Sequence, residues 1–119
     1  MMDLIEKIAG ILYEKKAQHI VALDVSGITV IADCMLIASG RSVPQVKALA
    51  DEVEDQLSAL GIEPTRKEGQ QEGRWIVLDY GAVLVHIFHT EEREFYRLDK
   101  LWEREQNRIP MPFDELDED

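Results

Sequence analysis

The sequence predicts an α/β (α+β) protein folded as a single domain, a mixed β-sheet of about five strands flanked by helices. Three observations carry this expectation. Apolar residues recur at helical spacing in some stretches and in short β-rich runs in others, giving the order αββαβββα. Few helices and neighbouring strands favour one mixed sheet covered by helices. The 119 residues suffice for one core and leave no room for a second domain, and no internal repeat divides them.

Leu4, Ile5, Ile8, Ile11 and Leu12 share one helical face, and Asp3 with Glu6 three residues on supplies an N-cap and a carboxylate at the positive helix end. A helix over 3–17 follows. HIVALDV is rich in β-branched residues and closes at Ser26-Gly27, while CMLIASG ends at Gly40, so strands are expected near 19–25 and 33–39. The link from Gly27 to Ala32 is apolar and is expected to pack down. Ser42 and Gln45 form a capping box, Pro44 sits in the first turn, and Val46, Leu49, Ala50, Val53, Leu57 and Leu60 make one stripe ended by Gly61.

A short strand near Glu63–Lys67 and the polar connection EGQQEG lead to RWIVLDY, a strand. Gly81-Ala82 suits a two-residue type II′ turn, and AVLVHIFH returns as its hairpin partner. Both faces of that return are apolar, Val83, Val85 and Ile87 on one and Leu84, His86 and Phe88 on the other, which places it well inside a sheet or under a partner. Thr90 is expected to cap a last helix, with Glu91 and Glu92 in its first turn and Phe95, Leu98, Leu101 and Trp102 as its apolar residues. The domain is therefore expected to span 1–104. The remainder, 105–119, holds two prolines and ends DELDED, and is expected to be an extended or disordered acidic tail, with a docked Met111 or Phe113 as the alternative. Deleting Asp114–Asp119 is expected to leave the melting temperature nearly unchanged, which a thermal melt checks.

Catalytic and metal chemistry finds little support. His86-x-x-His89 places the two rings on opposite faces of a strand, Cys34 and His19 complete no ligand motif, and no bound metal is expected. Ala38-Ser39-Gly40-Arg41-Ser42 lacks the Lys-Ser/Thr ending of a P-loop and the glycine spacing of a dinucleotide fold. Asp24, Asp33 and Asp79 lie in or beside strands, but none has an acid two residues away to complete a two-metal face. No serine sits in a nucleophile elbow. The expectation is a protein that is not an enzyme and takes no cofactor.

Charge narrows the partners. Thirteen Lys and Arg against 24 Asp and Glu give a net charge of −11, which repels phosphate backbones and favours encounter with basic proteins. No apolar run reaches the ~20 residues of a membrane-spanning helix. MMDLIEKIAG reads as a helix start rather than a targeting segment, and the lone Cys34 as a buried thiol, so a cytoplasmic protein is expected. Six of the eight aromatic residues, Trp75, Tyr80, Phe88, Phe95, Tyr96 and Trp102, crowd into 75–102 beside Arg74, Arg93 and Arg97. Trp, Tyr and Arg are enriched at binding hot spots, so this stretch reads as part core and part binding surface.

The segment GRWIVLDYGAVLVHIFHTEEREFYRLDKLW resembles the signature of the ribosomal silencing factor family, also called the Iojap family. Trp, Asp-Tyr-Gly, Val-His-Phe, Glu-x-Arg-x-Phe/Tyr-Tyr and Leu-Trp recur there in that order. DVSGITVIADCMLIASGRSVPQVKALADEVEDQL is similar to the family's first half, so the likeness covers about 3–102. Arg41 and Val43-Pro44 depart from it, standing where the family is usually polar. The resemblance implies a nucleotidyltransferase-like fold without the catalytic acids. It also implies a repressor that binds the large ribosomal subunit through large-subunit ribosomal protein fourteen, while the charge of −11 leaves room for only minor ribosomal RNA contact. Joining of the small subunit would thereby be blocked under nutrient limitation. A homodimer when free is implied as well. Carried over by position, Trp75, Asp79, Tyr80, His86, Phe88, Arg93, Tyr96, Leu98 and Trp102 are the candidate partner-binding residues, Trp75 as an apolar anchor and Asp79 as an acceptor for a partner's Arg or Lys. The alternatives are a large-subunit assembly factor and a minimal nucleotidyltransferase.

Overall fold

The computed structural model describes residues 2–104 and 106–113, apart from the side chains of Met2, Phe95, Tyr96, Leu98 and Asp99. Helix α1 (Met2–Glu14) is followed by β1 (Gln18–Asp24), β2 (Cys34–Gly40), α2 (Val43–Ser58), β3 (Arg66–Glu68), β4 (Trp75–Asp79), β5 (Val83–His89), α3 (Thr90–Tyr96) and α4 (Leu98–Trp102). The expected elements are present to within a few residues, with the last helix divided in two. One five-stranded mixed sheet has the order β1-β2-β5-β4-β3, with β2 and β5 parallel and the other neighbours antiparallel.

Strand β5 is central, which explains why both of its faces are apolar. Its first face, Val83, Val85 and Ile87, joins Leu36 of β2 and Ile76 and Leu78 of β4 beneath α1 and α2, whose Ile5, Ile8, Leu12, Leu49, Val53 and Leu57 close the main core. The second face gathers Val21, Leu23, Val25, Met35, Ile37 and Phe88 into a smaller cluster, with Trp75, Leu84 and Trp102 partly buried against it. One face is thus fully roofed by helices and the other only in part.

Local chemistry sets the element ends. Ser42 Oγ accepts from the Gln45 amide at 3.2 Å as expected, but Gln45 Oε1 reaches back to the Arg41 amide at 2.6 Å rather than to that of Ser42. Helix α2 stops at Ser58, so Leu60, expected in its stripe, is exposed. Gly81 at φ +83 makes the expected hairpin turn, closed by Tyr80 N donating to Val83 O at 3.0 Å. Gly69 at φ +84 lets the β3–β4 connection cross Trp75, where any Cβ would meet the Trp75 carbonyl oxygen.

Three expectations are corrected. The 27–32 link does not pack down: Val30 is fully exposed, Ile31 61% and Ile28 37% exposed. Reversing from β1 into antiparallel β2 over so long a link throws its middle beyond the end of the sheet, while Val25 and Ala32 at its ends stay buried. The last helix is capped by His89, whose Nδ1 accepts from the Glu91 amide, and not by Thr90. It breaks at Arg97, whose left-handed φ of 52° rotates the following turn and leaves Leu101 exposed.

The third concerns the expected tail, where the alternative of a docked Met111 or Phe113 is the one that holds for residues 106–113. Residues 107–109 run beside the free edge of β1: Asp24 N donates to Asn107 O, Ile109 N donates to Ala22 O, and Arg108 bridges to Leu23. Met111 and Phe113 are buried in the main core, and Phe113 stacks on Tyr13 with ring centroids 4.4 Å apart. Packing therefore continues past 104, because this strap pairs with an exposed strand edge and its Phe113 stacks on Tyr13 of α1. Residues 114–119 lie outside the described residues. Phe113→Ala is expected to lower stability by about 2 kcal/mol, less than a central Phe, because the strap can peel away instead of leaving a cavity. Urea unfolding checks this.

Candidate functional site

Alternation along β4 turns Ile76 and Leu78 into the main core and leaves Trp75, Val77 and Asp79 half-buried on the second face. The register sets Trp75 opposite Phe88, Val77 opposite His86 and Asp79 opposite Leu84. The Trp75 ring stacks on Phe88 at 4.7 Å, and its Nε1 donates to His86 Nδ1 at 3.0 Å. Because Nδ1 accepts, the proton of the neutral imidazole sits on Nε2, which is buried with no hydrogen-bond partner. Burial pushes the His86 pKa down to about 4, so the ring is neutral at physiological pH. Trp102 packs at the margin of the same cluster. Trp75, His86, Phe88 and Trp102 are thus brought together, with Trp75 and Trp102 reaching solvent and Phe88 wholly inside.

The other candidates are placed differently. Asp79 lies on the second face, but its Oδ1 accepts from the Gly81 amide at 2.8 Å and its Oδ2 is 3.7 Å from Arg66 Nε, so it first serves the hairpin turn and an ion pair. Tyr80 packs against the main core, away from this face; its hydroxyl is buried without a partner, and burial, then Glu54 and Glu63, push its pKa up to about 12. Arg93 is buried and donates from Nη1 to His19 O at 2.6 Å and Ser39 Oγ at 2.8 Å. The β1 irregularity between Gln18 and Val21, with His19 at φ 52, turns that carbonyl toward the guanidinium and so ties α3 to the sheet. Tyr96 ends α3 and Leu98 begins α4, and their side chains lie outside the described residues.

Val77 and Leu84 complete the half-buried face; neither was a candidate binding residue, although the sequence put Leu84 on one face of its strand with His86 and Phe88. The alternation of WIVLD was the available signal, since it puts Val77 beside Trp75. Together the strands present an apolar and aromatic strip bordered by the charged edge strand, where Arg66 pairs with Asp79 and Glu68 with Val77 in register.

The geometry also bears on catalysis. Asp24 ends β1 on the first face, with its Oδ1 held by the Ser26 amide and hydroxyl, whereas Asp79 lies on the second face three strands away, roughly 14 Å by strand spacing. They do not form a two-metal pair. Among the described residues His89, Glu91 and Glu92 bring potential ligand atoms within 4.8 Å of one another, but Arg74 already bonds both carboxylates at 2.9 and 3.1 Å. No helix among the described residues is long and apolar enough to cross a membrane.

The sequence model of the family described as "Ribosomal silencing factor during starvation" matches residues 1–119. The chain belongs to the ribosomal silencing factor family. It is 47% identical over 89 residues to a Bacillus subtilis protein named ribosomal silencing factor RsfS, covering 75% of each chain. A Halalkalibacterium halodurans protein of the same name is 43% identical over 100 residues, 84% of this chain and 86% of that one. A mouse protein named mitochondrial assembly of ribosomal large subunit protein 1 is 26% identical over 101 residues, 82% of this chain but 44% of its own length. A crystal structure from Bacillus halodurans superposes with a TM-score of 0.82 at 37% identity, covering 93% of this chain and all of that one. The mixed sheet flanked by helices is therefore the fold of this family.

Proposed function

We propose that this protein binds the large ribosomal subunit with the second face of its sheet, through large-subunit ribosomal protein fourteen, and blocks joining of the small subunit. Bound in this way it lowers translation when nutrients are limiting. The observation that carries the reading is the half-roofed strip of Trp75, Val77, Leu84 and Trp102 in a member of the silencing factor family. Aromatic residues with apolar neighbours and a charged rim are the makeup of a protein contact. The net charge of −11 supports a basic ribosomal protein as the main partner and limits contact with ribosomal RNA. No step of this activity calls for catalysis or a cofactor. In the cytoplasm, pairing of two free copies over the same strip would shield it until the ribosome competes.

A role in assembly of the large subunit is the second reading, favoured by the name of the mouse relative. It predicts association with precursor particles and no inhibition of subunit joining.

Within this account Trp75 anchors the contact and Asp79 borders it, while Phe88, His86 and Arg93 hold the face in shape from within. Trp75→Ala is expected to weaken binding to purified large subunits at least tenfold, measured by co-sedimentation, with the protein still folded. Loss of the Phe88 stack and of the donor to His86 adds about 1–2 kcal/mol of destabilisation, read by urea unfolding. Unchanged binding would remove Trp75 from the contact.

A further inference from the structure

We infer that the loop between β1 and β2 is a second docking element, whose apolar tip of Ile28, Val30 and Ile31 fits a protein surface with an apolar hollow rimmed by basic side chains. This rests on the function proposed above and extends the sheet face to that loop.

The loop has a defined shape that does not come from burial. The amides of Ile28 and Thr29 both donate to Val25 O, at 2.9 and 3.0 Å, and the Ile31 amide donates to Thr29 Oγ1 at 3.2 Å. Ser26 is held to Asp24 Oδ1 through its amide and hydroxyl. A hydrogen-bonded turn thus presents three exposed aliphatic side chains within four residues, a concentration that isolated surface apolar residues do not reach.

Charge identifies the partner. Residues 17–40 contain no Lys or Arg, and Asp24 and Asp33, both exposed, flank the tip. Arg108 of the strap pairs its backbone with Leu23, farther from the tip than Asp24. An apolar tip between two carboxylates is complementary to basic side chains around an apolar depression. Position links the loop to the sheet face. The Val25 side chain belongs to the second-face cluster, and the amides of Asp33 and Cys34 donate to Ala82 O at 3.0 and 2.9 Å. The base of the loop therefore abuts the Gly81-Ala82 turn, at the end of the face where Asp79 and Leu84 lie.

The test uses the full chain carrying Val30→Ser with Ile31→Ser, and separately Asp33→Asn, in co-sedimentation with purified large ribosomal subunits at two salt concentrations. Thermal melts and sedimentation equilibrium accompany it. The double variant is expected to melt like the unsubstituted protein and to bind at least tenfold more weakly, and Asp33→Asn to bind with a smaller salt dependence. Unchanged binding by the double variant, while Val77→Lys on the sheet face loses binding, would overturn the loop's role and leave the proposed function standing. A double variant altered only in self-association would assign the tip to a second copy and overturn the inference. Failure of the unsubstituted protein to bind would overturn the proposed function and this extension together.

Discussion

Val77→Lys is expected to reduce binding to the large subunit by two orders of magnitude or more while the protein stays folded. Val77 is half-buried at the centre of the strip, between Trp75 and Asp79 on its own strand and opposite His86 on the next. Contact with a partner would close water off from this position, and an ammonium group there would be buried without a counter-charge against a basic surface. Such a buried unpaired charge costs several kcal/mol, and about 3 kcal/mol already corresponds to a ~100-fold loss of affinity. In the free protein the new side chain can reach solvent and lies beside Glu68 of the edge strand, so the fold tolerates it. Co-sedimentation together with a thermal melt separates the two effects. Normal binding by a folded Val77→Lys protein would place the contact elsewhere on the surface.

The second large effect is on stability in acid. His86 titrates at about 4 in the folded protein because it is buried, against its ordinary 6.5. Between these values the unfolded chain holds a proton that the folded chain does not, so stability rises with pH across that window. The contribution is complete above about pH 6.5, is lost as the pH falls, and levels off below about pH 4. A difference of roughly 2.5 pH units corresponds to about 3 kcal/mol. His86→Gln, whose side-chain oxygen can still accept from Trp75, removes this titration. Urea unfolding at pH 7 and pH 4.5 is expected to show a smaller acid loss in the variant than in the unsubstituted protein. Equal losses would mean that His86 is not the group whose protonation opposes folding. Because His86 lies directly beneath the proposed contact, the same protonation would weaken ribosome binding in acid.

Much of the fold was legible because its determinants are local. The Ser42 cap with Pro44, the Gly81-Ala82 turn and the period-two pattern of WIVLD each act over a few residues, and the doubly apolar β5 implied its central place in the sheet. What escaped depended on distant parts of the chain. The strap looks like an acidic, proline-bearing tail until the unpaired edge of β1 and the Tyr13 ring offer it partners. The 27–32 link has the composition of a packed segment, and only the length of the β1–β2 reversal reveals that its tip projects. Arg97 carries no sequence signal for a left-handed conformation, so the last helix read as continuous. In the candidate site, Trp75 and Phe88 stood out in the aromatic stretch and, with His86, in the family signature, but both mix contact with support: Phe88 and Arg93 are inside, and Tyr80 faces the other way. Val77 and Leu84 are ordinary aliphatic residues, visible as surface only once the register of β4 and β5 shows which face lacks a full helical roof.

The most direct measurement is co-sedimentation of the purified protein with isolated large subunits, isolated small subunits and joined ribosomes, at two salt concentrations. The account predicts binding to free large subunits, none to small subunits or joined ribosomes, and a decrease at higher salt. Binding to joined ribosomes as strong as to free large subunits, or no binding to any particle, would contradict it.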